Sequence, residues 1–101
     1  MSQRSEIKEK LKKECAPVGW SHIQPHSDRD AVIVIDPSLD IIEVGTEIAE
    51  DNSSFISSTI AAGHIAKPIP QQITAWNQSG ASFLCLIVSP YVLIQPIVNN
   101  E

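Results

Sequence analysis

A chain of 101 residues with 43% apolar and 19% charged side chains has the size and make-up of one globular domain, which excludes a disordered tail or a fibrous repeat. Charge is unevenly laid within the net −5: residues 1–13 carry Arg4, Lys8, Lys10, Lys12 and Lys13 against Glu6 and Glu9, a balance of +3, whereas the other 88 carry ten acids against Arg29 and Lys67, a balance of −8. Such a body repels phosphate backbones, so nucleic-acid binding is not expected, and its proline-broken apolar runs fall short of the ~20 residues of a membrane span.

Taken in chain order, Ser5–Cys15 predicts a helix, because Ile7, Leu11 and Cys15 form an i, i+4, i+8 stripe and Glu6–Lys10 and Glu9–Lys13 stand in the favoured order for i, i+4 pairs. It has no apolar core followed by a cleavage site, so it is not read as a signal peptide, and a cytoplasmic location is expected. Pro17 and Gly19 end it. Trp20–His26 predicts one further helical turn, with Trp20 and Ile23 inward and Pro25 limiting its reach. Ala31–Ile35 is a strand without a polar face, which points to a central position covered on both sides.

After Asp36-Pro37-Ser38, the apolar Ile41, Val44, Ile48 and Ala49, with Gly45, recur at helical spacing, and Asp40, Glu43, Glu47 and Glu50 mark the opposite face. Asp51 or Asn52 can cap a second helix over Ser53–Ala62, which Gly63 stops. Pro70 suits the first turn of a helix to Asn77. Phe83–Val88 reads as a central strand beside Ala31–Ile35, and no charge lies between Ala81 and Asn100. Proline cannot donate to a ladder, so either the strand bends at Ser89-Pro90 with a bulge at a sheet edge, or Tyr91–Gln95 leaves to pair elsewhere, a second subunit included.

The economical assembly is an α+β fold: a small single layer of about three apolar strands covered by four to five helices. Residues 1–16 form its basic N-terminal helix and residues 17–98 one compact domain. Cys15 and Cys85 lack metal-like spacing and are expected as free thiols, Cys85 as core packing.

Two groups of residues carry chemistry. His22, His26, Asp28 and Asp30, with Asp36 beyond the strand, combine imidazoles and carboxylates, which can bind a metal or pass protons. No third histidine stands at ligand spacing and Pro25 interrupts the pair, so a polar loop leading into a strand is the simpler reading and no metal or cofactor is expected. Asp40, Glu43 and Glu47 point outward from one straight helix, as a solvated or protein-binding face. His64 behind Gly63 fits a helix C-terminus. There is no G-x-S-x-G elbow, no glycine-rich phosphate loop, and no base placed by sequence near Cys15.

Trp20 followed by His26 and Arg29, the strand into Asp36-Pro37-Ser38-Leu39-Asp40, the Ala49-Glu50-Asp51-Asn52 junction, Gly63, Trp76, and Pro90-Tyr91-Val92-Leu93-Ile94-Gln95 carry a resemblance over nearly the whole chain from Trp20 to Gln95. The chain resembles a bacterial family known only as domain of unknown function twenty-two eighty-eight. The resemblance implies a small bacterial cytosolic protein and supplies no activity, cofactor or catalytic residue.

The function expected is therefore that of a non-enzymatic protein-interaction or regulatory domain, homo-oligomeric, meeting its partner through the acidic face of Asp40, Glu43 and Glu47 or the C-terminal strand with Tyr91 and Leu93. The alternative is a ligand- or metal-binding protein or enzyme built on His22, His26, Asp28 and Asp30.

Overall fold

Strands apolar on both faces need cover on both faces, and that requirement shapes the molecule. The computed structural model describes residues 3–88 and 91–97. In chain order these form α1 Gln3–Glu14, β1 Ala16–Gly19, α2 Trp20–Asp28, β2 Val32–Ile35, α3 Ile41–Ala49, α4 Ser53–Ala61, β3 Ile65–Ala66, α5 Pro70–Ser79, β4 Ser82–Val88 and β5 Tyr91–Pro96. The class is α+β, but the sheet has five strands rather than about three. The two unexpected ones are short edge strands. Pro17 and Gly19 are tolerated in β1 because only one side of an edge strand must bond.

The strand order is β1-β4-β5-β2-β3, with β5 parallel to β2 and all other neighbours antiparallel. This corrects two expectations. Phe83–Val88 does not lie beside Ala31–Ile35, because β5 is inserted between them; Leu93 faces Leu86 on one side and Ile33 on the other. Nor does Tyr91–Gln95 leave to pair with another subunit: it is the central strand, and both its edges are occupied. The reason is burial, since Val92, Leu93 and Ile94 point to alternating faces and all three are enclosed. The bend or bulge expected at Ser89-Pro90 lies outside the described residues; on either side of it the register pairs Val88 with Tyr91.

Alternation divides the core in two. Ile35, Leu86, Val88 and Leu93 meet Leu11 of α1 and Ile41 and Val44 of α3 on one face, with Phe55 and Ile56 of α4 packed at the side. On the other face Val32, Phe83, Val92 and Ile94 meet Trp20 and Ile23 of α2 and Ile73 and Trp76 of α5. The sheet is thus clad on both sides, not as one layer. Gly45 marks the tightest junction: a Cβ there would stand 2.7 Å from Leu86 Cδ2 and 3.3 Å from Leu11 Cδ1, so α1, α3 and β4 close together only because the side chain is missing.

Helix ends follow local chemistry. Asp40 accepts from Ile42 N at 2.9 Å, Asn52 from Phe55 N at 3.2 Å, and Gln72 Oε1 reaches back to Ile69 N at 3.0 Å behind Pro70. Gly80 closes α5 in the left-handed region. α2 outruns its expected single turn, running nine residues with Pro25 inside. Trp20 and Ile23 are buried against the sheet, while Pro25 and Ser21, whose carbonyl loses its intrahelical donor, are both exposed to water.

Candidate functional site

The polar residues before and after β2 do not converge. Asp30 precedes the strand and Asp36 follows it, six residues of largely extended chain or ~20 Å apart. Asp30, at φ 60°, pairs with Lys67 at 2.5 Å, and His26 Nδ1 contacts the Arg29 guanidinium. His22 and Asp28 are exposed on α2. Among the described residues no group of three or more His, Cys, Asp or Glu is placed to hold a metal ion.

Asp36 is instead tied to its own loop. Its Oδ1 accepts from Ser38 N at 2.8 Å, and that backbone bond, with the Ser38 hydroxyl and a smaller contribution from His64, holds the carboxyl below its ordinary range. His64 Nδ1 is buried without a hydrogen-bond partner. Gln95, 8% exposed, spans from β5 to this loop and donates from Nε2 to the carbonyls of Asp36 at 2.9 Å and Leu39 at 2.6 Å. This corner is a structural clasp between β2, α3 and β5.

The acidic face meets the chain's own basic helix. Arg4 of α1 bonds Glu47 at 3.1 Å through both nitrogens, Glu50 at 2.5 Å and Glu43 at 3.5 Å, and Lys8 also bonds Glu43. Because the earlier residue of α1 meets the later residues of α3, the two helices run antiparallel. Arg4 foremost, then the Asn52 amide at 3.0 Å, keeps the Glu47 carboxyl below its usual value. Asp40 caps α3. Of the acidic residues proposed to face a partner, Glu43 and Glu47 are therefore already engaged by α1. Leu93, expected on a contact surface, is 0% exposed at the centre of the core, a correction that follows from the position of β5. Cys15 and Cys85 are free, and burial pushes both thiols up, away from the thiolate a nucleophile needs.

The concave feature of the surface lies elsewhere. Ile33 of β2, Ile48 of α3, Ile56 and Ile60 of α4, Ile65 of β3 and Tyr91 of β5 line an open groove of about 790 Å³. Its charged lining residues are Asp51, at φ 57°, and Lys67. Ile60 is 57% and Tyr91 41% exposed, two of the few large apolar side chains left to solvent. A second opening of about 740 Å³ runs along the seam where α1 joins β4, flanked by Lys10 and Glu14.

Of the candidate site residues named from the sequence, Tyr91 alone lines the groove. The rest of it was missed because five elements supply it and no local pattern joins them. One signal was present: between Asn52 and Asn100, Lys67 is the only Asp, Glu, Lys or Arg. A long stretch of an acidic protein with a single charge matches the composition of interface cores, where charged residues are depleted.

The family described as protein of unknown function (DUF2288) matches residues 6–96. Among solved structures, the chain is similar to the NMR solution structure of PA1075 from Pseudomonas aeruginosa, with a TM-score of 0.80 and 23% identity over 100% of this chain and 91% of that one. That likeness is one of fold. No curated protein matches the sequence.

Proposed function

We propose, for a chain that belongs to the DUF2288 family of proteins of unknown function, the role of a small non-enzymatic protein-interaction domain of the bacterial cytoplasm, with the groove beside α4 as its contact face. The observation that carries this reading is the groove itself: a largely apolar lining, with Asp51 and Lys67 its charged residues, that leaves Ile60 and Tyr91 exposed. No helix among the described residues is long and apolar enough to cross a membrane. For the alternative based on His22, His26, Asp28 and Asp30, no group of three or more His, Cys, Asp or Glu among the described residues is placed to hold a metal ion.

A photoreactive residue tests the proposal in the native cell. Ser57 is exposed one turn before Ile60 on α4, and Glu9 is exposed on α1 as a control. Irradiation is expected to give a protein adduct from position 57 and none from position 9. No adduct at 57, or equal adducts from both, would overturn the reading.

A further inference from the structure

We infer that the occupant of the groove is a second copy of this chain, related by a two-fold axis that carries Ile60 of each protomer into the groove of the other. The inference rests on the interaction reading above and deepens it by naming the partner.

Three observations favour a copy over a different protein. In a two-fold interface the same patch serves both sides, so knob and hole must lie together. Ile60, 57% exposed, stands on the lining of the cavity it would fill. The second observation is charge. Each chain carries a net −5, and two like-charged copies approach most easily where charge is absent. Most of the groove's lining, Ile56, Ile60, Ile65 and Tyr91 included, comes from the stretch between Asn52 and Asn100, where Lys67 is the one charge. Third, its charged lining residues are one acid and one base, Asp51 and Lys67. A two-fold axis turns one such couple into two reciprocal pairs, Asp51 to the second copy's lysine and Lys67 to its aspartate. Lys67 is 60% exposed in its bond to Asp30, so it can serve both carboxylates.

Sheet extension is the poorer route to a dimer. β5 has no free edge, β3 is two residues long, and β1 is interrupted by Pro17 and ends in Gly19. A face contact of roughly 800 Å² per partner, the usual scale of a stable complex, would take about one-eighth of the chain's 6361 Å² surface.

Light scattering of the full chain at tens of micromolar tests this. The expected mass is twice the 11.0 kDa of one chain. Ile60→Asp should weaken association by roughly 30-fold or more, the effect of losing a central anchor, with its thermal unfolding midpoint unchanged when measured at monomeric dilution. Ser57→Arg, an exposed substitution beside the groove, should act in the same direction and covers the case in which Ile60→Asp fails to fold. In a mixture of labelled and unlabelled chains, nuclear Overhauser contacts are expected between the Ile60 methyls of one copy and those of Ile33 or Ile65 of the other. A wild-type monomer overturns self-association; if position 57 still crosslinks, then to a different protein, the interaction reading survives alone. A dimer indifferent to both substitutions, or a small molecule retained in the groove under native mass spectrometry, also overturns the inference.

Discussion

Arg4 grips Glu47 through two parallel bonds, Nη1 to Oε1 and Nη2 to Oε2, both 3.1 Å. Forty-three residues apart in sequence, they join the first helix to the third and convert a stripe of opposed charge into a helix–helix contact.

Charge reversal at either end should therefore lower the thermal midpoint, and Arg4→Glu combined with Glu47→Arg should recover part of the loss. The pairs are partly open to water, so the difference between single and double variants is expected to shrink in high salt. Thermal denaturation of the four proteins at low and high ionic strength measures it. Equal midpoints for all four would show that Ile7 and Leu11 alone dock α1.

Acid should weaken the fold through Glu47 and Asp36. Both carboxyls sit below their ordinary values, Glu47 chiefly through Arg4 and Asp36 chiefly through Ser38 N. A depressed native pKa stabilises the folded form above the unfolded pKa of about 4 and loses that contribution as pH falls through the lower native value. Urea midpoints from these two groups should be level between pH 6 and 8 and drop below about pH 4. Glu47→Gln should flatten the acid limb. An unchanged limb would remove Arg4–Glu47 as its source.

Gln95 holds the loop after β2 by two bonds from one amide nitrogen. Gln95→Leu fills a similar volume but leaves the Leu39 carbonyl without this donor, at a cost of about 1–3 kcal/mol for an unmade bond in a buried setting. Hydrogen exchange should accelerate at Leu39 and Ile41 more than in α5. Uniform acceleration would mean that the clasp is not local.

The aromatic cluster on the opposite face sets a fourth expectation. Trp20 lies 5.1 Å from Trp76 and 6.0 Å from Phe83 between ring centres, and its Nε1 donates to Asn77 Oδ1 at 3.1 Å. Trp20→Ala should cost about 3–5 kcal/mol as a large cavity. Trp20→Phe should cost much less, because the exposed Asn77 can turn to water. Similar losses for both in urea unfolding would place the stability in the hydrogen bond.

At Gly45 the added volume has nowhere to go. Gly45→Val should cost about 2–3 kcal/mol by overpacking against Leu86 and Leu11, and adding Leu86→Ala should return part of it. If the two changes simply add, Leu86 is not the obstacle.

Several local features were legible in the sequence because short-range physics decides them. The Ile7–Leu11–Cys15 stripe, the Asn52 cap and the Pro70 start each act within a few residues, and the helices begin and end close to where those residues place them. Where the reading failed, tertiary packing overruled a local rule. Pro25 stays inside α2 because Trp20 and Ile23 anchor it to the sheet, and Ala16–Gly19 becomes a strand because β4 offers an unpaired edge. The groove was the least legible part, being a meeting of positions 33, 48, 56, 60, 65 and 91.

By itself, then, the sequence determined that this is an α+β domain with strands apolar on both faces, an oppositely charged pair of helix faces and a long segment nearly free of charge. Those are properties of composition and period. Strand order was decided only in three dimensions, since β2, β4 and β5 are all apolar on both sides and period-two alternation says which residues share a face but not which strand lies next door. Placing β5 at the centre buried Leu93, left Tyr91 at the mouth of the groove, and moved the candidate contact surface from the terminal strand to the face beside α4.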